Sequence, residues 1–223
     1  MATTKPLSPD TPGTKVFPQF AKLYDMVAKE VQGLSDQQLD WRSDKWGWAD
    51  WSIRTQVSHM GSFLPGWLLR RWGPVLFPEG YASLGDWADY EKSPNGWWLD
   101  EKKYPTMKHL LKKLHDGLDL AQHILERETL KSLRDKEVPR PDTPPHWKQF
   151  AKAHPTGVRW HPTQAGFTYM SLEATFRHLY FEVITHLYNL QRLKEAQGLP
   201  LKVKVPLEGY MALPDWDHSR ANA

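Results

Sequence analysis

The spacing of hydrophobic residues along the chain predicts four long helices. In the segment FPQFAKLYDMVAKEVQGL, apolar side chains recur at helical spacing from Phe20 onward, and Gly33 is a typical stop. A second apolar stripe follows Ser52, which is a favourable N-cap, and extends over IRTQVSHMGSFLPGWLLRRWG. Pro65 lies late in this stripe and should disturb the helix, because proline has no backbone N–H to donate.

Two more helices are predicted in the second half of the chain. Thr106 can cap a third helix that continues to about residue 131. Ser171 can cap a fourth helix, which runs to Gln197 and ends before Gly198, because glycine commonly follows the last turn of a helix. The LKVKV segment after it is either a short strand or an extended arm.

The connections between these helices are long. Residues 73–104 and 132–170 contain many Gly, Pro and aromatic residues, and we predict that they are mainly irregular. Four helices without a convincing strand pattern favour an all-α fold, a four-helix bundle with long irregular inter-helix connections. We expect residues 1–15 to be a disordered lead, residues 16–205 to form one helical domain, and residues 206–223 to be a C-terminal tail.

Composition changes this picture mainly through tryptophan and cysteine. Twelve of the 223 residues are Trp, and these either line pockets or a dimer interface or simply fill the core. Cysteine is absent, so the chain has no disulfide and no thiolate nucleophile, and a metal would have to use His, Asp, Glu or water. The lack of cysteine suits a reducing cytoplasm.

Charge and hydropathy argue against two classes of partner. The formal net charge is +3, and Lys and Arg are scattered rather than grouped in the basic, aromatic-rich runs that nucleic-acid binding requires. The N-terminus has no apolar signal core, and no apolar run reaches the length of about 18 residues that a membrane span requires. We therefore expect a cytoplasmic protein that acts on a small molecule.

A polar stripe interrupts the otherwise apolar fourth helix. At about 100° per residue, with His178 at zero, Asn189 falls near 20°, Glu182 near 40° and His186 near 80°. The rest of this helix surface is apolar, and such a helix is normally buried. Solvent exposure is the alternative explanation of the stripe, although exposed helix faces usually carry Lys, Glu and Gln rather than two histidines and an asparagine.

The spacing within the stripe favours a metal site. Glu182 and His186 are four residues apart and point the same way from successive turns, which suits two ligands of one cation. This spacing also occurs often by chance. A third ligand should come from a facing helix, and His59, at the flank of the second apolar stripe, is the candidate. The alternative is a lone histidine whose ring is satisfied by a neighbour.

Two segments resemble one family. Leu34, Leu39, the Trp51-Ser52-Ile53 helix start and His59 are similar to the start of the DinB-like (YfiT-like) metal-binding four-helix bundles. The segment SLEATFRHLYFEVITHLYNLQRLKEAQGLP resembles the last motif of that family. The resemblance covers roughly residues 17–70 and 105–200, and it implies a DinB-like bundle for the helical domain. The long connections at 73–104 and 132–170 have no match in it.

The resemblance also implies a ligand set. Most members have a His followed by a His-x-x-x-His pair, whereas this chain has Glu182 at the first position of the pair. A branch similar to the mycothiol-dependent maleylpyruvate isomerases uses His, Glu and His, and HLYFEVITH matches that form. Carried over, the metal ligands are His59, Glu182 and His186. Asn189 stands where the family often has Gln or His, and it is a candidate for orienting a substrate.

Two imidazoles and one carboxylate suit zinc or nickel, and also iron or manganese. Three protein ligands leave positions open, which is typical of catalytic metal sites. The resemblance implies a thiol-dependent S-transferase or isomerase that uses a low-molecular-weight thiol. A metal-dependent hydrolase and a non-enzymatic, dimeric ligand-binding bundle are the alternatives. We expect the pocket to be walled by Trp from residues 46–51 and from the 73–104 segment, and a homodimer is plausible for this kind of fold.

Two further histidines are candidate helpers. His178 begins the polar stripe of the fourth helix, and His161 lies between Trp160 and Pro162 shortly before that helix. Either ring could contribute to the cavity, and ordinary packing is the alternative for both. The chain contains no GxSxG, P-loop, GxGxxG or HExxH motif, so the sequence does not support a serine hydrolase, an NTPase, a Rossmann enzyme or a zincin.

Overall fold

The computed structural model describes residues 6–84, 87, 96–141 and 151–221. Backbone contacts divide the chain into two compact units. One comprises residues 1–21 and 121–180 and is called the sheet unit below; the other comprises residues 22–120 and 181–223 and is called the helical unit. The parts of the predicted lead, connections and tail at 1–5, 85–86, 88–95, 142–150 and 222–223 lie outside the described residues.

The four long helices that the hydrophobic spacing predicts are present, together with shorter ones. The α-helices are α1 (Gly13–Val16), α2 (Phe20–Val31), α3 (Asp36–Asp40), α4 (Ile53–Pro65), α5 (Gly73–Leu76), α6 (Met107–Arg127), α7 (Leu130–Asp135) and α8 (Leu172–Ala196). The four predicted long helices correspond to α2, α4, α6 and α8. None of the helices in the described part of the chain combines the length and apolar character needed to cross a membrane.

Local chemistry explains where these helices begin and end. The Ser52 side chain accepts a hydrogen bond from the backbone N–H of Thr55 at the start of α4, and Ser171 does the same for Ala174 at the start of α8. Pro65 is the last residue of α4, and the chain continues from Gly66 as a π-helical segment to Arg71. The predicted disturbance at this proline is therefore confirmed.

Contacts within the helical unit join its four helices in a cycle. They are Glu30 with Lys194 (α2 to α8), His186 with Gln56 (α8 to α4), Leu64 with Gly117 (α4 to α6) and His115 with Tyr24 (α6 to α2). A Cβ added at Gly117 would lie only 3.0 Å from the Cβ of Leu64, so glycine permits this close approach. The core between the helices is formed by Leu23, Val27, Val57, Leu64, Leu114, Val183, Leu187 and Leu190, each at most 1% exposed.

The sheet unit contains a small antiparallel sheet. Its strands are β1 (Glu137–Pro141), β2 (Val158–Trp160) and β3 (Phe167–Ser171), in the order β1-β3-β2. The prediction of an all-α fold is therefore wrong, because the protein is mixed α and β. Two prolines hid β1 from sequence analysis, since proline cannot donate to a ladder; it is tolerated here because β1 is an edge strand.

The central strand β3 connects this sheet to helix α8. Thr168 and Met170 are buried, whereas Phe167 and Tyr169 between them are partly exposed, which is the alternation of a strand with one covered face. Just before β2, Gly157 has a φ of +79°, and its carbonyl accepts a hydrogen bond from the backbone N–H of Ser171 at 2.7 Å. A Cβ at Gly157 would lie 2.2 Å from the Ser171 Oγ, so only glycine fits.

Hydrogen bonds hold described residues near the start and the end of the sequence. The backbone N–H of Gly13 donates to the carbonyl of Glu128 at 2.7 Å, and Pro12 forms a β-bridge with Thr129, within the stretch expected to be a disordered lead. In the helical unit, the indole N–H of Trp48 donates to the Ser219 Oγ at 3.1 Å. The LKVKV segment forms no strand, so its alternative, an extended arm, describes it.

Candidate metal centre

Three side chains of the helical unit meet at one point. His59 comes from the middle of α4, and Glu182 and His186 come from successive turns of α8. One potential ligand atom from each lies within 4.8 Å of the others, so the group could hold a metal ion. The His186 Nε2 lies 3.3 Å from a carboxylate oxygen of Glu182. The structure thus brings together the three residues that the sequence names as candidate ligands.

The folding of two helices positions this group. The Ser52 cap fixes the start of α4, which places His59 about two turns into the helix, beside the core residues Val57 and Met60. His59 is 7% exposed, and the side chains of Glu182 and His186 are 16% and 12% exposed. The group therefore lies at the edge of the core, where it is shielded from bulk water without being sealed from it.

Hydrogen bonds fix which imidazole nitrogen can bind a metal. The Nδ1 of His59 lies 2.6 Å from the backbone carbonyl oxygen of Trp97, and the Nδ1 of His186 lies 2.5 Å from the amide oxygen of Gln56. A carbonyl oxygen only accepts, so each Nδ1 carries a proton, and in the neutral form of each ring the Nε2 then has the lone pair that a metal needs. Histidines that bind metals usually show this arrangement, because the bond to a carbonyl orients the ring and makes the other nitrogen a better ligand.

The donor set fits a divalent transition metal. Imidazole nitrogen is a common ligand of zinc, nickel, iron and copper, and one carboxylate adds negative charge that two neutral imidazoles lack. A group of three protein donors falls short of the four or more ligands that such ions take. The remaining positions are then available to a substrate or solvent molecule.

Aromatic rings surround the two histidines. The Trp51 ring is stacked on His186, with centroids 5.9 Å apart and planes 7° apart, and it is tilted against His59 at 5.1 Å. Trp98 meets the Trp51 ring edge-on at 5.4 Å, and Trp97 is 56% exposed. Tryptophans from both predicted segments, 46–51 and 73–104, therefore lie at the site. These rings restrict rotation of the imidazoles and lower the local polarity around the potential ligands.

Comparison with known proteins finds no matching family model, no matching curated protein and no matching solved structure. The resemblance to the DinB-like proteins therefore stays a prediction that rests on the two sequence motifs. The chemistry of the site has to be argued from the residues of this chain.

The three candidate helper residues occupy different surroundings. Asn189 follows His186 by three residues on α8, and its Oδ1 is buried without a hydrogen-bond partner in the described part of the chain. His178 is 6% exposed and belongs to the sheet unit, where its ring lies 6.2 Å from that of His154. Asn189 is thus the helper candidate that shares the helical unit with the three potential ligands.

His161 has a structural role in the β2–β3 hairpin. Its Nδ1 accepts hydrogen bonds from the backbone N–H groups of Thr163 and Gln164, at 3.3 and 2.9 Å. Its ring is stacked on Tyr169 of β3 with centroids 5.1 Å apart. These contacts shape the turn between the strands, and they account for this histidine without a substrate.

The sequence patterns did not indicate the two groups that orient the imidazoles. Gln56 stands three residues before His59 and is 2% exposed. An amide side chain within the apolar stripe of α4 could have indicated a buried hydrogen bond, because buried polar groups need partners. The other group, the Trp97 carbonyl, belongs to the backbone and carries no side-chain signature. Only the folded chain shows that it reaches His59.

Proposed function

We propose that this protein is a divalent-metal-dependent enzyme acting on a small molecule, with His59, Glu182 and His186 as metal ligands. The observation that carries the proposal is the paired hydrogen bonding of the two imidazoles. Both Nδ1 atoms donate to carbonyl oxygens, and one potential ligand atom from each imidazole lies within 4.8 Å of a carboxylate oxygen of Glu182. Histidines that bind a metal almost always donate the other ring N–H to a carbonyl oxygen, a carboxylate or water.

A bound divalent cation would supply Lewis-acid chemistry at the positions that three protein ligands leave open. The residues of the chain have separate tasks around it. Gln56 and the Trp97 carbonyl hold the imidazole tautomers, and Trp51 covers one face of His186. The buried Oδ1 of Asn189 has no hydrogen-bond partner among the described residues, so it is suited to accept a hydrogen bond from a substrate.

The reaction class that we propose is thiol-dependent S-transfer or isomerisation. It rests on the resemblance of the His59, Glu182 and His186 pattern to the DinB-like branch with His, Glu and His ligands. Because the chain has no cysteine, the thiol must be a low-molecular-weight cosubstrate rather than a side chain. Zinc or nickel is the favoured metal, and iron or manganese would suit the same donors.

Elemental analysis of the purified, untagged protein tests the metal site directly. We expect about one equivalent of a transition metal in the native protein and its loss in the His59→Ala and Glu182→Ala variants. His218→Ala is the matched control, because His218 is an exposed histidine of the same unit and should leave the metal content unchanged. Circular dichroism of each variant would show that its helices remain folded.

The outcomes separate the functional hypotheses. Native protein without metal, even after reconstitution, would show that the polar stripe is structural and that the proposal is wrong. If the metal is present, turnover that requires an added thiol supports transfer or isomerisation. Turnover of a substrate in water alone would instead identify a hydrolase.

A further inference from the structure

A second concave site lies in the helical unit, between α2 and α6. Its volume is about 800 Å³, and the short helix α3 contributes to its wall. The apolar lining residues include Ala28, Val31, Leu34, Leu39, Met107 and Leu111. A volume of this size lies within the range of about 300–1,000 Å³ that is typical of small-molecule sites. We call this cavity the α2–α6 groove.

The groove is separate from the metal centre. The metal centre lies where α4 meets α8, as the contact of Gln56 with His186 shows. The groove lies where α2 meets α6, as the contact of Tyr24 with His115 shows. In the cycle of contacts that joins the four helices, these two junctions are opposite one another. A ligand in the groove would therefore not share the residues that hold the metal.

Positive charge borders the apolar lining. Three lysines and two histidines line the groove, against a single acidic residue, Asp25. Lys112 forms an ion pair with Asp116, and the His115 Nδ1 lies 2.8 Å from a carboxylate oxygen of Asp119, so both side chains already have acidic partners. The remaining lysines, Lys29 and Lys108, are exposed, and neither takes part in an ion pair within the described part of the chain.

The placement of Lys108 is unfavourable for the helix by itself. Lys108 and His109 lie in the first turn of α6, which contains no acidic residue. Backbone N–H groups give a helix N-terminus a partial positive charge, so cations there reduce helix stability. An anion bound beside Lys108 would remove this repulsion. Lys29, in the last turn of α2, adds a second charge to the same cavity.

We propose that the α2–α6 groove binds an amphipathic organic anion, with a carboxylate head and an alkyl or aromatic body. The head would lie between Lys29 and Lys108, and the body would cover Leu34, Leu39 and Leu111. An inorganic anion would leave the apolar lining in water, and an uncharged apolar molecule would leave the two lysines unused. The combination of lining and charge selects a molecule with both parts.

Decanoate is a suitable probe, and methyl NMR of the full-length protein provides the readout. The chain has six methionines, one of which, Met107, lines the groove. With ¹³C-methyl methionine labelling, decanoate should shift the Met107 signal saturably, and the fully buried Met60 beside the metal centre should not move. Met107→Leu assigns the signal. Decyltrimethylammonium, which has the same chain and the opposite charge, should bind at least about tenfold more weakly.

Charge removal tests the head group. The double variant Lys29→Gln/Lys108→Gln should weaken decanoate binding about tenfold, since each exposed charge pair accounts for at most about fivefold. Lys204→Gln is the control, because Lys204 is an exposed lysine of the same unit outside the groove. His59→Ala should bind decanoate as the native protein does, so failure of the metal proposal would leave this result intact.

Three results would overturn the proposal. The first is a Met107 signal that decanoate does not move. The second is equal affinity for decanoate in the double lysine variant and the native protein, because recognition would then not involve the head group. The third is a concentration-dependent dimer, seen by sedimentation without any ligand, whose formation shifts Met107; the groove would then hold a second copy of the chain.

Discussion

Helix α8 carries two polar clusters that have similar residue types and opposite designs. Near its C-terminal end, Lys194 forms a fully buried ion pair with Glu30 of α2, with side chains 1% and 0% exposed. About two to three turns earlier, Glu182 and His186 meet His59 of α4 with 16% and 12% of their side chains exposed. Both clusters join α8 to a neighbouring helix, but only the second gathers its donors around one point.

Protein groups fill the hydrogen-bonding capacity of the Glu30 carboxylate in this ion pair. Besides Lys194, the Glu30 carboxylate accepts hydrogen bonds from the Gln191 side chain at 2.7 Å and from the backbone N–H groups of Lys202 and Val203 at 2.9 and 2.8 Å. Burial alone would raise the pKa of Glu30, but these hydrogen bonds together outweigh it and hold the pKa below its ordinary value. A carboxylate with so many protein partners has no capacity for a ligand, so its role is to pin the extended arm to α2 and α8.

The histidine cluster could hold a metal ion. The Nδ1 of each imidazole lies beside a carbonyl oxygen, and one potential ligand atom from each of the three side chains lies within 4.8 Å of the others. The two clusters therefore differ in how their polar atoms are arranged rather than in their residue types. Measurements of stability, pH dependence and metal affinity can test this difference.

Breaking the ion pair should give the largest loss of stability. Glu30→Ala leaves the ammonium of Lys194 buried without its partner, which should lower the free energy of unfolding by about 3–5 kcal/mol. Chemical denaturation measures this value. Glu79→Gln, at an exposed glutamate, should change it by less than about 0.5 kcal/mol. A loss below about 1 kcal/mol for Glu30→Ala would show that the pair is not the anchor described here.

The same pair should make stability fall in acid. The folded pKa of Glu30 lies below its ordinary value of 4.5, so the unfolded chain takes up the proton first as the pH falls. The contribution of Glu30 is therefore present above pH 4.5 and is lost as the pH drops through the folded pKa. Denaturation of the native protein and of Glu30→Gln/Lys194→Met at decreasing pH measures it. Identical pH dependence in both would contradict the assigned pKa shift.

Metal removal should lower Tm by an intermediate amount, and this change should require an intact histidine cluster. A ligand present at about 100 times its Kd stabilises a protein by about 2.7 kcal/mol. For a chain of this length, a chelator should therefore lower Tm by about 5–10 °C. The His59→Ala variant should melt at the same temperature with and without chelator. An equal chelator effect in both proteins would place the metal elsewhere.

Removing the group that orients His186 should lower the affinity for the metal without abolishing binding. Gln56→Ala takes away the oxygen that accepts from the His186 Nδ1, and loss of such a partner typically costs 10- to 100-fold in metal affinity. Competition with a chelator measures the change, and the exposed Gln37→Ala provides the control. ¹⁵N spectra of the imidazole should also lose the single tautomer. Unchanged metal affinity and unchanged spectra would mean that Gln56 contributes packing contacts and does not orient His186.

Substitution of Asn189 should change the free energy of unfolding least, and it should raise this energy rather than lower it. Its buried Oδ1 has no hydrogen-bond partner among the described residues, so Asn189→Leu should raise the free energy of unfolding by up to about 1 kcal/mol. The same change should reduce turnover if the oxygen serves a substrate. Denaturation and activity measurements together give the answer. A loss of stability would show that the oxygen has a structural partner. The role of Asn189 would then be structural, like that of the Glu30–Lys194 ion pair.

Local patterns in the sequence predict the long helices and pair two of the three candidate metal ligands. Helical periodicity and the caps Ser52 and Ser171 are local signals, because each depends on residues within a few positions of one another. The pairing of Glu182 with His186 is equally local, since four residues make about one turn. His59 could be named as the third candidate, but from the second helix alone the sequence favours the alternative, a lone histidine that is satisfied by a neighbour.

Only the tertiary structure decided the rest. The sheet depends on pairing β3 with β1, about 30 residues away, and the two prolines of β1 conceal a strand that is tolerated only at an edge. The bond from the His59 Nδ1 goes to the backbone carbonyl of Trp97, a group that every residue has and that no sequence pattern marks. Long-range pairing and backbone partners are set by how the elements pack, and for that reason the sequence alone could not reveal them.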